Sequence, residues 1–513
     1  MRRVFFATAF CCFAAAALAA PHRVVLVVWD GMRPDFVTEH YAPTLNALAH
    51  DGARFQNHHS VYCTATDVNG TALATGVYPN RSGTFANTEF RPRINARHAI
   101  DTGEPASLAA GDALTGGKYL AVPTIAELAR AEGKRVVLAG TKSVAVLFDR
   151  HNEWSIATTR EKALTIFAAA PMSIALSGQV TQEFGPFLVE RGVSSAQRNQ
   201  YVTRVLAEKL WRDALPDLSL LWLSEPDLSE HNNAAGSPQA IAAIKSSDDN
   251  LAAVLHALDE KHARDTTDVI VVSDHGFSTI RRSIDVAKLL SDSGFRATKE
   301  LPESTRRGDI LVVGNGGTVL FYVVEHDRET CQRLVDWLEA SDFAGTIFSR
   351  DSVQGTFPLS TIHIDTPDAA DVVMSFRWSE ENNQFGVPGM IDADWNRKAG
   401  EGTHATLSPF DVHATFIAAG PDFRRAFEDM APTANIDIAP TILHLLGVEA
   451  KTHFDGRIVR EALRESNKTP PTAITGTLTA ETPGEGGWQQ SLKTSRIGEA
   501  IYFDSATGGR SGK

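Results

Sequence analysis

Arg23-Val24-Val25-Leu26-Val27-Val28-Trp29-Asp30-Gly31 decides the fold. A strand with one wet face alternates polar and apolar side chains. Residues 23–28 do not alternate, so the run reads as a central parallel strand covered on both faces. It stops at a carboxylate and a glycine. Leu218–Leu223 and Val269–Val272 have the same character and also lead into polar clusters. Arg135–Ala139 is a fourth such strand. Between them lie helices expected at Pro43–Asp51, Pro123–Ala131 and Ile244–Leu258, the first two followed closely by a glycine. This alternation predicts an α/β fold with a doubly wound, mainly parallel central sheet flanked by helices. Ligands of such sheets sit at the carboxyl ends of the strands, where Asp30, Asp227, Asp274 and His275 fall.

The rhythm breaks between about 285 and 400. Leu311–Val313, Thr318–Val324 and the stretch Phe357–Ile364 read as antiparallel strands, with a helix at Asp327–Glu339. We read this segment as an inserted α+β cap, after which the main domain resumes near Gly402 and runs to about Leu463. Residues 466–513 are rich in Thr, Pro and Gly and read as an extension, partly disordered and partly packed on the body.

Residues 1–19 carry Arg2 and Arg3, an apolar run to Leu18, and Ala17-Leu18-Ala19. That is the pattern of a cleaved secretory signal, so the chain is expected to be periplasmic or secreted, without a membrane anchor. The whole chain has 49 basic and 62 acidic side chains, a net charge of −13. Without residues 1–19, which hold two arginines and no acid, 47 basic groups face 62 acidic ones and the balance is −15. Such a surface disfavours polymeric nucleic acid but not a small phosphate ester. Cys63 and Cys331 are the two cysteines beyond the signal. One disulfide is conceivable, yet Cys63 lies beside the candidate nucleophile and reads as a small buried residue.

Five short segments carry chemistry. Asp30 ends the first strand with a glycine behind it. In Tyr62-Cys63-Thr64-Ala65-Thr66-Asp67-Val68-Asn69-Gly70, Thr66 is a hydroxyl nucleophile candidate, since a divalent metal can activate a hydroxyl without a histidine base. Asn69, three residues on, shares a helical face with Thr66 and has an amide for a phosphate oxygen. Taken alone, the same segment is an ordinary capped helix start. Asp227 and His231 are four apart in Glu225-Pro226-Asp227-Leu228-Ser229-Glu230-His231, a spacing that converges on one metal in a helical turn. Ser273-Asp274-His275-Gly276-Phe277 puts a carboxylate and an imidazole together at a strand end, and Gly402-Thr403-His404 adds a last histidine. Lys142, after the strand Arg135–Ala139, either contacts phosphate oxygens or is an exposed lysine.

Together these residues resemble the alkaline phosphatase superfamily, and most of all its nucleotide pyrophosphatase/phosphodiesterase branch. The likeness runs over about residues 23–463, and also includes Ala74-Thr75-Gly76-Val77-Tyr78-Pro79-Asn80 and Asp455-Gly456-Arg457. It implies an alkaline-phosphatase-like metallohydrolase domain over residues 20–465 and two zinc ions. One zinc would be held by Asp227, His231 and His404; the other by Asp30, Asp274 and His275, with Thr66 as ligand and nucleophile. Asn69 would match the family's oxygen-binding asparagine. The implied reaction is in-line attack by Thr66, a covalent phospho-enzyme and its hydrolysis. Two departures bear on the substrate: the family often has Phe-Pro-Asn-His after the nucleophile where this chain has Asp67-Val68-Asn69-Gly70, and Ala405 follows His404 in place of the usual glycine.

A phosphodiesterase is therefore expected, acting on a small phosphate ester. A phosphomonoesterase, or a phosphonate or sulfate ester hydrolase on the same scaffold, is the alternative. Cys63-Thr64-Ala65-Thr66-Asp67 partly mimics the formylglycine signal of sulfatases, but its fifth residue is Asp67 rather than arginine. Histidine-rich donors also favour zinc over calcium.

Overall fold

A computed structural model of the chain describes residues 22–149, 155–158, 164–169, 175–186, 188, 193–466, 469–484 and 486–510. The expected signal peptide, residues 1–19, lies outside them. Four parallel strands form the centre: β1 (Arg23–Trp29), β2 (Val136–Gly140), β3 (Leu218–Leu223) and β4 (Thr267–Val272). Their order is β4-β1-β3-β2. Val28 pairs with Val272 on one side and Trp222 on the other, and Gly140 also pairs with Trp222, so the strands end nearly level. The parallel pairing expected of the sheet is found in these four and in an edge pair, Ala53–Phe55 with Phe427–Asp429. Phe416–Ala419 runs antiparallel beside β4 and Leu164–Ala169 antiparallel beside β2, within a nine-stranded mixed sheet.

Both faces of β1 are dry. Val24, Leu26 and Val28 pack with Leu73, Ala74, Ile125, Ala129, Ile438 and Ile442 from helices on one side. Val25, Val27 and Trp29 pack with Leu45, Leu48, Ile244, Leu251 and Val254 on the other. Each fully buried Val, Leu or Ile among them contributes about 1.5–3 kcal/mol. That double cover is why the run shows no alternation. Helix Pro43–Asp51 is as read from the sequence. Helix Ile125–Ala131 begins later than expected because Thr124 caps it, accepting from Glu127 N while the Glu127 carboxylate takes Thr124 N. Helix Pro238–Glu260 extends past both expected ends, with Ser237 as its cap.

The insertion holds two sheets. In one, Ile310–Asn315, Thr318–Val323, Val372–Phe376 and Ala344–Ser349 run antiparallel in that order, backed by helix Arg328–Ala340 through Leu334, Val335 and Leu338. The antiparallel strand expected at 357–364 is corrected: Phe357–Pro358 is a two-residue parallel edge on Ala344–Ser349, followed by a 3-10 turn at Leu359–Ile362. Pro358 lacks the N–H that a longer ladder needs. In the other sheet, Ser278–Ser283 pairs with Gly402–Thr403, Ser278 opposite Thr403. This pairing joins the segment after Asp274-His275 to the one before His404, across more than a hundred residues of sequence.

The C-terminal stretch holds more regular structure among its described residues than its composition suggested. Ile474–Glu481, Trp488–Ile497 and Ala500–Arg510 form an antiparallel sheet. Leu492, Tyr502, Phe503 and Ala506 are buried in the cluster that holds Tyr62 and Cys63, and Trp488 is buried against the insertion. The Gln490 amide also bonds both Ile347 N and Ile347 O, at 2.7 and 2.9 Å. Cys63 and Cys331 are buried free thiols in different clusters. Among the described residues no helix is long and apolar enough to cross a membrane. Ending the chain at residue 465 should lower Tm by roughly 10 °C or more, because a packed face is stripped from the segment around Tyr62 and Cys63. A truncated chain that melts with the full one in a thermal scan would refute this packing role.

Candidate metal centre and nucleophile

Seven side chains from five segments meet above the ends of β1, β3 and β4. Asp30 follows β1 directly, Asp274 and His275 follow β4, and Asp227 opens the short helix Asp227–Asn233 after β3. Thr66 opens helix Thr66–Thr75 and does not cap it; the N-cap is Ala65. Thr66 Oγ1 is 3.1 Å from His275 Nε2. Donor atoms of Asp30, Asp274 and His275 form one group within 4.8 Å of one another, and those of Asp227, His275 and His404 form a second. The first is the expected set. In the second, His275 takes the position expected of His231, and His231 Nε2 stands beside it, 3.3 Å from Asp227 Oδ1. All three histidines aim Nε2 at Asp227 Oδ1, at 3.3, 3.7 and 3.9 Å for His231, His404 and His275.

Backbone carbonyls set that aim. His231 Nδ1 is 2.9 Å from Gly402 O, His404 Nδ1 2.9 Å from Thr64 O, and His275 Nδ1 2.8 Å from Gly276 O. Each carbonyl takes the Nδ1 proton and leaves Nε2 as the free lone pair. Burial pushes the pKa of His231 down and that of His404 well down, which keeps both rings in the neutral, ligating form. The carboxylates are held from behind in the same way. Asp30 Oδ2 accepts from Trp222 Nε1 at 2.8 Å, and Asp274 Oδ1 accepts from Gly31 N at 3.0 Å. Gly31 has φ +76° and a Cβ there would stand 3.0 Å from the Asp227 Cβ, so only glycine lets the two loops close.

Asp30, Asp227 and Asp274 have no solvent exposure. Burial raises the pKa of Asp30 well above the usual carboxylate range, with Asp274 adding to the effect, and burial raises that of Asp274 as well. Asp227 Oδ1 and Asp274 Oδ2 are buried without a hydrogen-bond partner. Buried acceptors left open among neutral imidazoles fit divalent cations, and the mixed nitrogen and carboxylate donors suit zinc. Lys142 supplies one positive charge. Its Nζ is 2.6 Å from Asp227 Oδ2 and 3.2 Å from Asp30 Oδ1, and its side chain is 18% exposed. It is therefore a floor residue of the site rather than a surface lysine.

Asn69 does not face the site. Its amide nitrogen donates toward Val61 O, Ala65 O and Cys63 O at 3.0, 3.1 and 3.3 Å, and its oxygen accepts from Val61 N and from Asn435 Nδ2. Helical spacing fixed the side of the helix but not what covers it, and here the chain leading into the helix does. Asn69 is a strut: Asn435 Nδ2 bonds both Asn69 Oδ1, at 3.0 Å, and Asp274 O, at 2.7 Å, tying the helix Thr66–Thr75 to the loop of Asp274 and His275. The asparagine near Thr66 with a free amide nitrogen is Asn87, which the sequence reading missed. Its Oδ1 accepts from Asp67 N at 2.8 Å, and its Nδ2 has no partner among the described residues. Asn87 sits in an irregular loop with no periodicity to mark it; only the folding of 83–103 back onto the helix brings it there.

Residues 24–379 match the family described as Type I phosphodiesterase / nucleotide pyrophosphatase. The bis(5'-adenosyl)-triphosphatase enpp4 of Xenopus laevis is 22% identical over 447 residues, covering 83% of this chain and 78% of that protein. Venom phosphodiesterase 2 of Crotalus adamanteus is 24% identical over 264 residues, covering 50% of this chain and 27% of that one. Murine ectonucleotide pyrophosphatase / phosphodiesterase 5 has a similar structure, with a TM-score of 0.59 at 17% identity over 84% of this chain and 97% of its own. With the match extending over well more than half its length, the chain belongs to the Type I phosphodiesterase / nucleotide pyrophosphatase family.

Proposed function

We propose that the protein is a zinc-dependent phosphodiesterase that works through a covalent intermediate on Thr66. The observation that carries this reading is the contact of Thr66 Oγ1 with His275 Nε2, the atom shared by both donor groups. Asp30, Asp274 and His275 would hold one zinc; Asp227, His404 and His231 the other. Bound there, zinc lowers the pKa of the threonine hydroxyl and offsets the charge of the phosphate.

The chain's own groups then do the following. Thr66 Oγ attacks phosphorus in line, its proton goes to solvent, and the bond from phosphorus to the leaving alcohol breaks. Water later cleaves the Thr66–phosphorus bond and restores the hydroxyl. Asn87 Nδ2 donates to a non-bridging oxygen, a role in which Asn69 cannot serve. The first N–H groups of helix Thr66–Thr75 add a positive end at the same place. Purified protein should hold two zinc ions per chain by elemental analysis, and Thr66→Ala should cut turnover of bis(4-nitrophenyl) phosphate at least about a thousandfold. Undiminished turnover after Thr66→Ala and exhaustive chelation would end the proposal.

One observation favours a second reading, hydrolysis of phosphate monoesters. A monoester carries an extra negative charge, and Lys142 places a cation on the floor of the site. If Lys142 pairs with that charge, Lys142→Ala lowers kcat/KM for 4-nitrophenyl phosphate roughly a hundredfold more than for the diester. Equal losses on both substrates would leave Lys142 as a neutraliser of Asp227 and Asp30 alone.

We further propose export through residues 1–19, in keeping with the pattern Ala17-Leu18-Ala19. The mature protein from its native host should begin at Ala20 on N-terminal sequencing; an intact Met1 would rule export by this signal out.

A further inference from the structure

Asp67 follows the nucleophile, at a position where the family often has phenylalanine. Its side chain is turned inward and only 5% exposed. Asp67 Oδ2 accepts from Thr102 Oγ1 at 3.0 Å and from Gly103 N at 2.9 Å. Thr102 in turn donates its backbone N–H to Asn87 O at 2.9 Å, and its hydroxyl lies 2.8 Å from Ala86 O. The ring closes through Asn87 Oδ1, which accepts from Asp67 N at 2.8 Å. A Cβ on Gly103 would stand 2.4 Å from Asp67 Oδ1, so the carboxylate fits because residue 103 has no side chain. Outside the ring, Tyr119 Oη donates to Thr102 O at 2.9 Å and Asn315 Oδ1 accepts from Thr88 N at 2.8 Å. The loop around Asn87 is thus held from both sides, and among the described residues its hydrogen bonds to the helix Thr66–Thr75 run through Asp67.

We propose that Asp67 is a positioning residue: by gripping Thr102 and Gly103 it fixes the backbone at Asn87 and so sets where the Asn87 amide nitrogen lies beside Thr66. The phosphate role of Asn87 rests on the function proposed above; the clamp itself does not. An aromatic side chain could not make these bonds.

The test uses the full-length zinc-loaded protein, orthovanadate as probe, and amide hydrogen exchange over residues 85–103. Asp67→Ala and Asn87→Ala should each weaken vanadate binding about tenfold, the loss of one hydrogen bond to a charged oxygen. The double variant should bind no more weakly than Asn87→Ala, because both changes remove the same contact. Asp67→Asn, whose amide oxygen still accepts from Thr102 and Gly103, should restore most of the affinity. Exchange over 85–103 should quicken in Asp67→Ala at unchanged zinc content. Thr102→Val, which keeps the shape and removes the hydroxyl, should behave as Asp67→Ala does and stands in for it if that variant does not fold. Losses that multiply in the double variant, or unchanged protection of 85–103 in Asp67→Ala and Thr102→Val, would overturn the clamp whatever the protein hydrolyses. A wild type that protects this loop through Asp67 yet cleaves no phosphate ester would instead overturn the proposed function and leave the clamp standing.

Discussion

Three carboxylates stand at the level ends of three adjacent strands, shielded from solvent. Asp30, Asp227 and Asp274 are all fully buried, and charges so placed repel one another strongly in a medium less polar than water. Lys142 meets two of them and offsets one charge. The rest of the demand is met by an arrangement suited to metal: open oxygens on Asp227 and Asp274, and three imidazoles whose Nδ1 atoms are already engaged. The fold exists to hold this concentration of charge. Parallel strands with dry faces bring the carboxylates together, and the pairing of Ser278 with Thr403 brings in the last histidine.

Much of this was legible because the residues that matter follow runs that can only be buried strands. The unbroken run 23–28 predicted a sheet covered on both faces, and the carboxylates at its ends followed from that. What was missed depends on contacts between segments. Asn87 sits in irregular backbone and Asn435 opens a three-residue 3-10 turn, and their partners are remote in sequence or on another element. Asn69 was misjudged because helical spacing gives a direction and not a depth. His231 does converge on Asp227 as its spacing predicts, at 3.3 Å, and what the spacing could not show is that His275 stands in both donor groups. In the last forty or so residues, threonine and glycine hid a strand whose buried side holds Trp488, Gln490 and Leu492; a buried glutamine with both amide atoms bonded breaks the apolar alternation.

Selectivity is expected to come from the ground around this centre. The side chain after the nucleophile is committed to the loop of Asn87, and a lysine lies on the floor between two carboxylates. Both features bear on charge and on rigidity near phosphorus; neither offers an apolar surface to a leaving group. The C-terminal sheet packs on the inserted one through Trp488 and Gln490.

The central claim is that Thr66 displaces the leaving group before water enters. The stereochemical course at phosphorus tests it most directly. Hydrolysis of a chiral aryl phosphorothioate diester in isotopically labelled water should give net retention, because two successive in-line displacements each invert the centre. Net inversion would mean that water attacks the substrate in one step, and the account of Thr66 as nucleophile would be wrong.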